Sequence, residues 1–431
     1  MKEGLKSTRI LYVTEILPMV GAFGGQLRCL NVLRALQQIG RVEILYIGDK
    51  DLGSTLTPNT GIGVAGVFEV QERPKRGFIG KLKWMFDPTT DYPHGYGVRP
   101  DALPKLLGIL GEFDLIWFSR LRTSEMFPNT SWPCSVVDVD DLPSRYERTV
   151  LQLGGSPLRR LSALRCAFSW RRRERLLGKR FTVLTVCSEE DRQYLRRVGA
   201  KLPVHVIPNG FDKPPTEPKR SPSTPPRIGF IGLVDFFPNR HGLNWFVTKC
   251  WPRVKSRVPD ARLRLVGQDS EGFLNSFGPD IDKLGWLADP AEEMKTWAAM
   301  VVPIRVGAGT RVKIAHAFSQ KCPIISTTLG AYGYEAEDGR EMYLADVPET
   351  FATACIRAIQ EPDSASEMAE RGWRRFLERW TWEAIRPQVW AAAEDCLHRS
   401  GTSGKSQDEY FQQRAIPSTK QPKPLLLDPE D

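Results

Sequence analysis

The chain has 431 residues, which is longer than one ordinary core requires and favours two domains with additions. Hydrophobic residues make up 41% and aromatic residues 10% of it, without a short-period repeat or a long low-complexity run, so fibrous and disordered classes are excluded. The formal net charge is +9, and eight cysteines stand without Cys-x-x-Cys spacing, which favours reduced, buried thiols over a disulfide framework or a zinc site.

The first apolar run, residues 10–20, predicts a strand of a cytosolic protein. Thr14, Glu15 and Pro18 interrupt it, so it fits neither a secretory signal nor a membrane span of about 20 apolar residues.

A glycine loop with Gly21, Gly24 and Gly25 follows this strand and leads into a predicted helix over 26–39. Its glycine spacing does not match the Gly-x-Gly-x-x-Gly fingerprint of dinucleotide-binding proteins. We expect the loop to face a cleft.

An aromatic stretch, "GKLKWMFDPTTDYPHGYG", comes next. Three interpretations of its aromatic residues stay open: they lie at a membrane headgroup boundary, line an acceptor groove or pack in the core. These residues are Trp84, Phe86, Tyr92 and Tyr96.

A basic segment at 157–180, "PLRRLSALRCAFSWRRRERLLGKR", holds nine basic residues against one acid, Glu174. An amphipathic helix is predicted from apolar residues at helical spacing, namely Leu158, Leu161, Leu164 and Phe168. Two interpretations stay open: a solvated helix face, or a face attracted to anionic lipid headgroups. Nucleic acid is not an expected partner, because no stacking-aromatic module or zinc-finger spacing accompanies the basic run.

Short apolar runs alternate with helical patterns throughout, which is typical of parallel sheets covered by helices. Strands are predicted in the first half at "RILYVTEI", "VEILYIG", "FDLIWFS", "CSVVDVDD" and "TVLTVCS", and in the second half at "RIGFIGLV", "RLRLVG", "MVVPIRVG" and "CPIISTT", with a helix near 242–258. We therefore predict an α/β protein with two doubly wound, Rossmann-like domains at 1–207 and 227–400, the second including a C-terminal helix. A proline-rich linker at 208–226 and a disordered tail at 401–431 complete the prediction.

The stretch "VVPIRVGAGTRVKIAHAFSQK" indicates an anion site. Gly307 and Gly309 let the backbone approach a ligand, and the next helix directs free N–H groups and its positive dipole end toward it. Arg311 and Lys313 add charged donors. This chemistry suits a diphosphate; the alternative is a plain turn with both bases on a solvated face.

Together these motifs resemble the two-Rossmann (GT-B) glycosyltransferases, and within them the retaining group called glycosyltransferase family 4 (group 1). The resemblance runs from about Arg9 to Trp390 and also rests on "VCSEEDRQYL", "VHVIPNGFD", "IGFIGLVDFFPNRHGLNWF", "GWLADPAEEM" and "CPIISTTLGAYGYEAEDG". It implies two domains facing a central cleft, with the acceptor side in the first and the nucleotide-sugar donor in the second. The implied reaction transfers a sugar from a nucleotide diphosphate sugar to a glycan or lipid-linked acceptor, with retention and without a metal or other cofactor.

The resemblance also assigns residues. Arg311 and Lys313 would contact the donor diphosphate and, with Asp140, form the catalytic group. The expected donor-binding residues are Gly24, Gly25, Asn239, Gly307, Gly309, Thr310 and His316.

Several family positions hold different residues here. His316 stands where relatives place a glutamate on the nucleotide ribose, and Ala308 where many place a second glutamate near the transferred sugar. Leu233 and His241 replace a phosphate-contacting arginine and lysine. Asn239 either acts in that region or caps the following helix.

The run "DVDDLPS" replaces an Asp-x-His-Asp pattern of relatives. Asp140 in this run, beside Asp138 and Asp141, either accepts a sugar or acceptor hydroxyl or belongs to a run that only caps the turn.

Two other functions remain as alternatives: a non-catalytic sugar-nucleotide or glycan-binding protein, suggested by the missing glutamates, and a nucleotide-dependent oxidoreductase, disfavoured by the missing fingerprint. The basic helix and the lack of a membrane span predict a cytoplasmic protein, peripheral on the inner face of a membrane, that elongates a lipid-linked or cell-surface glycan.

Overall fold

The computed structural model describes residues 8–18, 24–56, 60–72, 77–86, 96–127, 131–154 and 156–401. Its strands are β1 (Arg9–Thr14), β2 (Arg41–Ile47), β3 (Gly63–Phe68), β4 (Val70–Glu72), β5 (Tyr96–Val98), β6 (Leu115–Phe118), β7 (Ser135–Val139), β8 (Val183–Val186), β9 (Val204–Val206), β10 (Arg227–Ile231), β11 (Arg262–Val266), β12 (Ile281–Gly285), β13 (Ala299–Val302), β14 (Ile324–Ser326) and β15 (Tyr343–Leu344).

The α-helices are α1 (Gly24–Leu36), α2 (Lys50–Ser54), α3 (Phe78–Phe86), α4 (Leu103–Gly111), α5 (Leu121–Glu125), α6 (Pro143–Gln152), α7 (Pro157–Arg175), α8 (Glu189–Val198), α9 (Phe237–Trp245), α10 (Trp251–Arg257), α11 (Ala291–Lys295), α12 (Val312–Ser319), α13 (Pro348–Gln360), α14 (Pro362–Arg379) and α15 (Trp382–Gly401). Short 3-10 turns lie at Pro100–Ala102, Leu177–Lys179 and Phe273–Ser276, and a π-helical turn joins α9 to α10 at Phe246–Cys250.

Two parallel sheets organise these elements. The first has the strand order β3-β2-β1-β6-β7-β8-β9 and the second β12-β11-β10-β13-β14-β15, while β4 and β5 form a separate antiparallel pair. In each sheet the order reverses beside the first strand, between β1 and β6 and between β10 and β13. Open α/β sheets bind ligands at the carboxyl ends of strands at such a reversal point. The predicted α/β class with two doubly wound sheets is confirmed.

The central strands are apolar because helices cover both faces of each sheet. Every residue of β6, β7 and β13 is buried. These strands fix the positions of the loops at their carboxyl ends, which is where the candidate site lies.

The last helix packs on the first sheet, which differs from its predicted place in the second domain. Ile385, Val389 and Cys396 of α15 share one core cluster with Ile10 and Trp117. Its apolar positions fill a face of the first sheet that α1 alone leaves open. The domain limits themselves stay a prediction.

Two predicted helices have different bounds in the structure. The helix expected over 26–39 begins earlier, at Gly24, and ends at Leu36. The one expected near 242–258 begins at Phe237, because Pro238 is accepted in a first helical turn, where no backbone N–H is needed.

The helix predicted for the basic segment is present as α7, and Ser156 caps it by accepting a hydrogen bond from the Arg159 backbone. Its predicted amphipathic character is wrong, because the large apolar residues are exposed among the arginines and charged residues are among those that pack inward. The tail after Gly401 and the side chains of Trp84, Phe86 and Tyr92 lie outside the described residues, whereas Tyr96 is exposed on β5. Tyr96 therefore does not belong to the core.

Candidate functional site between the two sheets

The reversal points of the two sheets face each other. Gly24 begins α1 so close to the start of α12 that a Cβ atom on it would lie 2.7 Å from Val312 Cγ2. The Gly307 backbone N–H donates to Thr149 Oγ1 of α6 at 2.9 Å. The glycine loops of both sheets therefore line one narrow cleft; Gly21 lies outside the described residues.

The loop before α12 places Arg311 at the N-cap of that helix. Gly307 and Gly309 adopt φ values of +137° and +69°, which favour glycine. Arg311 Nη1 donates to the Ala308 carbonyl at 2.7 Å, whereas its Nε and Nη2 are buried without a partner among the described residues. Two charged N–H donors therefore point into a closed space at the positive end of a helix.

Lys313 links the two strands of the second reversal point. Its Nζ donates to Asn239 Oδ1 at 2.9 Å and lies 4.0 Å from the centre of the Phe230 ring. Burial, and then the nearby Arg311 charge, lower the pKa of Lys313 well below its usual value. An anion beside it would favour the protonated form again.

Asn239 lies in the first turn of α9, where it does not cap the helix. The N-cap is Phe236, and Asn239 Nδ2 instead donates to the Leu233 carbonyl at 2.7 Å. Its side chain therefore fixes the loop after β10 against Lys313.

His316 on α12 stacks on Phe211, with ring centres 4.0 Å apart and planes at 14°. Burial lowers the pKa of His316 to about 4, so its imidazole is neutral near pH 7. Phe211 belongs to the segment predicted as a plain linker, and the sequence analysis did not assign it to the site.

The aspartates at the end of β7 lie in two different environments, one buried in the first domain and one at the cleft. Asp138 is buried below the cleft, where it accepts 2.8 Å hydrogen bonds from Arg28 Nε and Nη2 and one of 2.7 Å from Thr185. Asp138 is thus a structural residue of the first domain. Asp140 lies at the cleft, where its Oδ1 accepts from Asn209 Nδ2 at 2.7 Å.

Asn209 joins the two domains, and the sequence analysis missed it. The amide nitrogen that donates to Asp140 also lies 3.0 Å from Thr310 Oγ1. The predicted residues Asp140 and Thr310 therefore meet through a third side chain. A single asparagine after an apolar strand carries no sequence signal for such a bridge.

Asp141 lies at the rim of the cleft against the bare Cα of Gly309, and a side chain at that glycine would collide with its carboxyl group, although the residue as a whole is exposed. Desolvation of the carboxyl group, together with the Asp140 charge, raises the pKa of Asp141 to about 7, although Arg311 and Arg120 act in the opposite direction. This carboxyl group therefore changes charge near neutral pH.

Arg120 follows β6 at the first reversal point and was also missed. Its guanidinium occupies the space that a side chain at Gly25 would need. Burial would lower the pKa of Arg120, but Asp140 and the other nearby acids raise it. The residue was identifiable only with the strand order, which shows that β6 lies next to β1.

A second bridge between the domains lies beside the site. Tyr332 donates its hydroxyl to Asp191 Oδ1 at 2.7 Å, and the Arg145 guanidinium lies 4.5 Å from the centre of the Tyr332 ring. Asp191 belongs to α8 of the first domain, whose N-cap is Ser188.

In the described part of the chain no group of three or more His, Cys, Asp or Glu side chains is placed to hold a metal ion, and all eight cysteines are free thiols. The polar groups that face the cleft are backbone N–H groups, arginine, lysine, asparagine and aspartate.

The arrangement agrees with the comparisons with known proteins. Residues 225–361 match the family model of Glycosyl transferases group 1. A protein of Klebsiella pneumoniae described as an uncharacterized 44.6 kDa protein in cps region is 24% identical over 151 residues, which is 32% of this chain and about two fifths (39%) of that protein.

Among solved structures, Anabaena HepE in complex with UDP and glucose superposes with a TM-score of 0.60 at 16% identity, covering 89% of this chain and 98% of that one. Sucrose-phosphate synthase from Thermosynechococcus elongatus gives a TM-score of 0.59 at 16% identity, covering 92% and 100%. The fold is therefore that of the GT-B glycosyltransferases.

Proposed function

We propose that this protein is a glycosyltransferase that uses a nucleotide diphosphate sugar as donor. The observation that carries the proposal is Arg311, whose buried Nε and Nη2 have no partner among the described residues. A buried charged donor without a partner is destabilising, so the geometry favours a bound anion. Lys313 nearby and the N-terminus of α12 suit the diphosphate of such a donor.

In the proposed reaction the bond between the anomeric carbon and the diphosphate oxygen breaks, and a bond to an acceptor oxygen forms. The negative charge that develops on the leaving diphosphate is stabilised by Arg311, by Lys313 and by the loop from Gly307 to Thr310. Asp140 accepts a hydrogen bond from a sugar or acceptor hydroxyl. We further propose that the reaction retains the anomeric configuration and uses neither a metal nor another cofactor.

The acceptor in this proposal is a glycan or lipid-linked saccharide of cell-surface polysaccharide or glycoconjugate biosynthesis. The relative named for its place in a cps region supports this choice, as do the neighbours crystallised with UDP and glucose. In the described ranges, no helix has both the length and the apolar character needed to cross a bilayer. We propose a cytoplasmic enzyme that is peripheral on the inner face of the membrane.

The first prediction tests the donor site. Arg311→Ala and Lys313→Ala should each weaken binding of a nucleoside diphosphate by about 10- to 100-fold, because a hydrogen bond to a charged group contributes roughly 1.5–3 kcal/mol. Binding of the nucleoside alone should stay nearly unchanged. Thermal shift against a panel of nucleoside diphosphates identifies the base, and calorimetry then gives the affinities.

The exposed Lys283→Ala is the matched control, since Lys283 lies in the same domain away from the cleft. If each substitution weakened binding of the nucleoside and of its diphosphate equally, neither Arg311 nor Lys313 would contact the phosphates. Release of nucleoside diphosphate from nucleotide sugars, measured with acceptor present, distinguishes a transferase from a protein that only binds. A spectral change of a nicotinamide cofactor would indicate the oxidoreductase alternative instead.

A further inference from the structure

Helix α7 exposes its apolar side chains instead of burying them. Leu158, Leu161, Leu164 and Phe168 are 79%, 55%, 56% and 51% exposed. The residues that pack inward are small or charged, namely Ala163, Ala167, Ser169, Arg173 and Glu174. A helix that only covers a sheet has the opposite pattern, with large apolar residues inward.

A second helix extends this apolar surface. Phe78 and Ile79 at the start of α3 are 73% and 81% exposed, and α3 packs against α7. Large exposed apolar side chains on two helices that pack together indicate an interaction surface.

Unpaired cations continue the same face of α7 over its last turns. Arg171, Arg172 and Arg175 follow Phe168 at helical spacing. Together with Lys179 and Lys201 and with Phe168, they line a cavity of about 720 Å³. Within the described residues none of these five cations forms an ion pair or a side-chain hydrogen bond, so their charges are available to a partner.

Two other arginines of the basic segment are neutralised by an acid. Arg173 is buried and donates to Glu125 at 2.7 Å, and Arg180 pairs with the same carboxylate at 2.5 Å. Arg159, Arg160 and Arg165 are exposed and, within the described residues, also have no ion pair, so an acid neutralises the arginines that are turned inward and not the exposed ones. The sequence could not separate the two groups, because all of them lie in one basic run.

We propose that the exposed face of α3 and α7 docks on an anionic lipid bilayer, with the cavity beside Phe168 receiving a lipid phosphate. Exposed leucine and phenylalanine insert at the acyl boundary, while arginine and lysine pair with headgroups. A solvated helix face explains the charges but leaves the large apolar side chains without a role. A protein partner would have to be both apolar and acidic, a combination that an anionic bilayer supplies.

The position of α7 connects this surface with the cleft. Helix α7 packs against α6, whose Thr149 accepts a hydrogen bond from the Gly307 N–H of the cleft loop. With 19 residues α7 is about 28 Å long, and its last turns lie beside Val198 and Lys201, which precede the edge strand β9. This inference deepens the proposed function, because a lipid-linked acceptor would enter the cleft from the docked side.

Vesicle co-sedimentation of the full chain tests the inference. Vesicles of phosphatidylcholine alone and with about one third phosphatidylglycerol are compared at low and high salt. Arg171→Glu, Arg172→Glu and Arg175→Glu together should lower partitioning onto anionic vesicles at least tenfold, since each basic residue near the surface contributes about fivefold. High salt should weaken wild-type binding. Replacing Leu161, Leu164 and Phe168 by serine should also lower it, with a smaller dependence on salt.

The matched control reverses three exposed cations of the second domain, Lys249→Glu, Arg257→Glu and Lys283→Glu, with the same change in net charge. It should bind vesicles nearly as well as wild type. Equal binding to neutral and anionic vesicles, or undiminished binding of the α7 variant, would overturn the inference. A dimer in solution that only the α7 variants disrupt would also overturn the inference, because the exposed face of α3 and α7 would then bind a second copy of the chain.

Lipid binding and nucleoside diphosphate binding are separate measurements in this design. An α7 variant that still binds the nucleotide has retained its fold. A wild-type protein that binds vesicles without binding nucleotides would contradict only the proposed transferase.

Discussion

Asp141 shows how a close contact with a glycine loop changes the pKa of a single ionisable group. Its carboxyl group lies against Gly309, and desolvation of that group together with the Asp140 charge raises its pKa to about 7. The folded protein therefore keeps a proton that the unfolded chain releases near pH 4. This contribution to stability is complete below the unfolded pKa and is lost as the pH rises through the folded value.

The second prediction follows from that sign. Asp141→Asn imitates the protonated carboxyl, so its melting temperature relative to wild type should rise between about pH 4 and pH 7. A change of 1 kcal/mol corresponds to roughly 2–4 °C in proteins of a few hundred residues. Melting curves without ligand measure the difference, and the exposed Asp260→Asn serves as control. Parallel pH profiles of wild type and Asp141→Asn would show that Asp141 is ionised throughout.

His316 carries the third prediction. Its neutral imidazole stacks on Phe211 at the position assigned to the nucleotide ribose. His316→Glu should keep the fold and alter the ratio of affinities for ribose and 2′-deoxyribose nucleotides, because a carboxylate offers more acceptor sites to a hydroxyl. His316→Gln keeps a polar side chain without the charge and is the control. An identical ratio in all three proteins would place residue 316 away from the sugar ring.

The sequence predicted the residues of the site that lie within one motif. Arg311, Lys313 and His316 were found because a glycine loop and a helix start have a recognisable order. Arg120 and Asn209 were missed because their roles depend on which strands become neighbours and on how two domains meet. Those relations join positions far apart in the chain, and no local pattern encodes them.

At the scale of elements, the loop from Gly307 to Thr310 is shaped by its neighbour in the other domain. Gly309 has φ +69° and faces Asp141 and the Asp140 carbonyl, whereas Gly339 has φ +72° with no atom within 4 Å of an added Cβ. Alanine would therefore introduce the same backbone strain at both positions. Only at Gly309 would its methyl group also collide with the first domain.

The fourth prediction uses this matched pair. Gly339→Ala should cost about 1 kcal/mol of stability from backbone strain. Gly309→Ala should lower the melting temperature further and weaken nucleoside diphosphate binding at least tenfold, since the loop must move away from Asp141. Denaturation and calorimetry on both variants provide the comparison. Equal effects of the two substitutions would mean that the domains do not close on the loop in solution.

The periodicity of apolar residues predicts that a helix forms but not which of its sides is buried. The spacing of Leu158, Leu161, Leu164 and Phe168 correctly predicted α7. It did not show which side of the helix packs inward, because Ala163 and Ala167 on the buried side are only weakly apolar. Which side of such a helix packs inward depends on the shape of the sheet beneath it.

For the whole molecule, the chain passes between the domains twice, once after β9 and again before α15. The second passage returns α15 to the core of the first sheet, where Ile385 and Val389 pack with Trp117. The core of the first sheet therefore contains segments from distant parts of the sequence.

The fifth prediction concerns this return. A chain that stops at Trp380 lacks α15 and should fail to fold its first domain, because several fully buried apolar side chains leave one core. A chain that stops at Gly401 should keep the wild-type melting temperature within about 1 °C. Solubility, melting and protease resistance measure both. Equal protease resistance of the first domain in both chains would show that α15 is dispensable for its core.

The return of α15 also sets an order of events during synthesis. All strands of the first sheet have been made once Val206 is complete, but the helix that covers one face of it starts at Trp382. At a translation rate of roughly 5–20 residues per second, about 10–35 s separate the two. During that interval α1 alone covers this face of the nascent sheet and part of its apolar surface stays exposed, so the second domain is synthesised while the first still needs protection from aggregation.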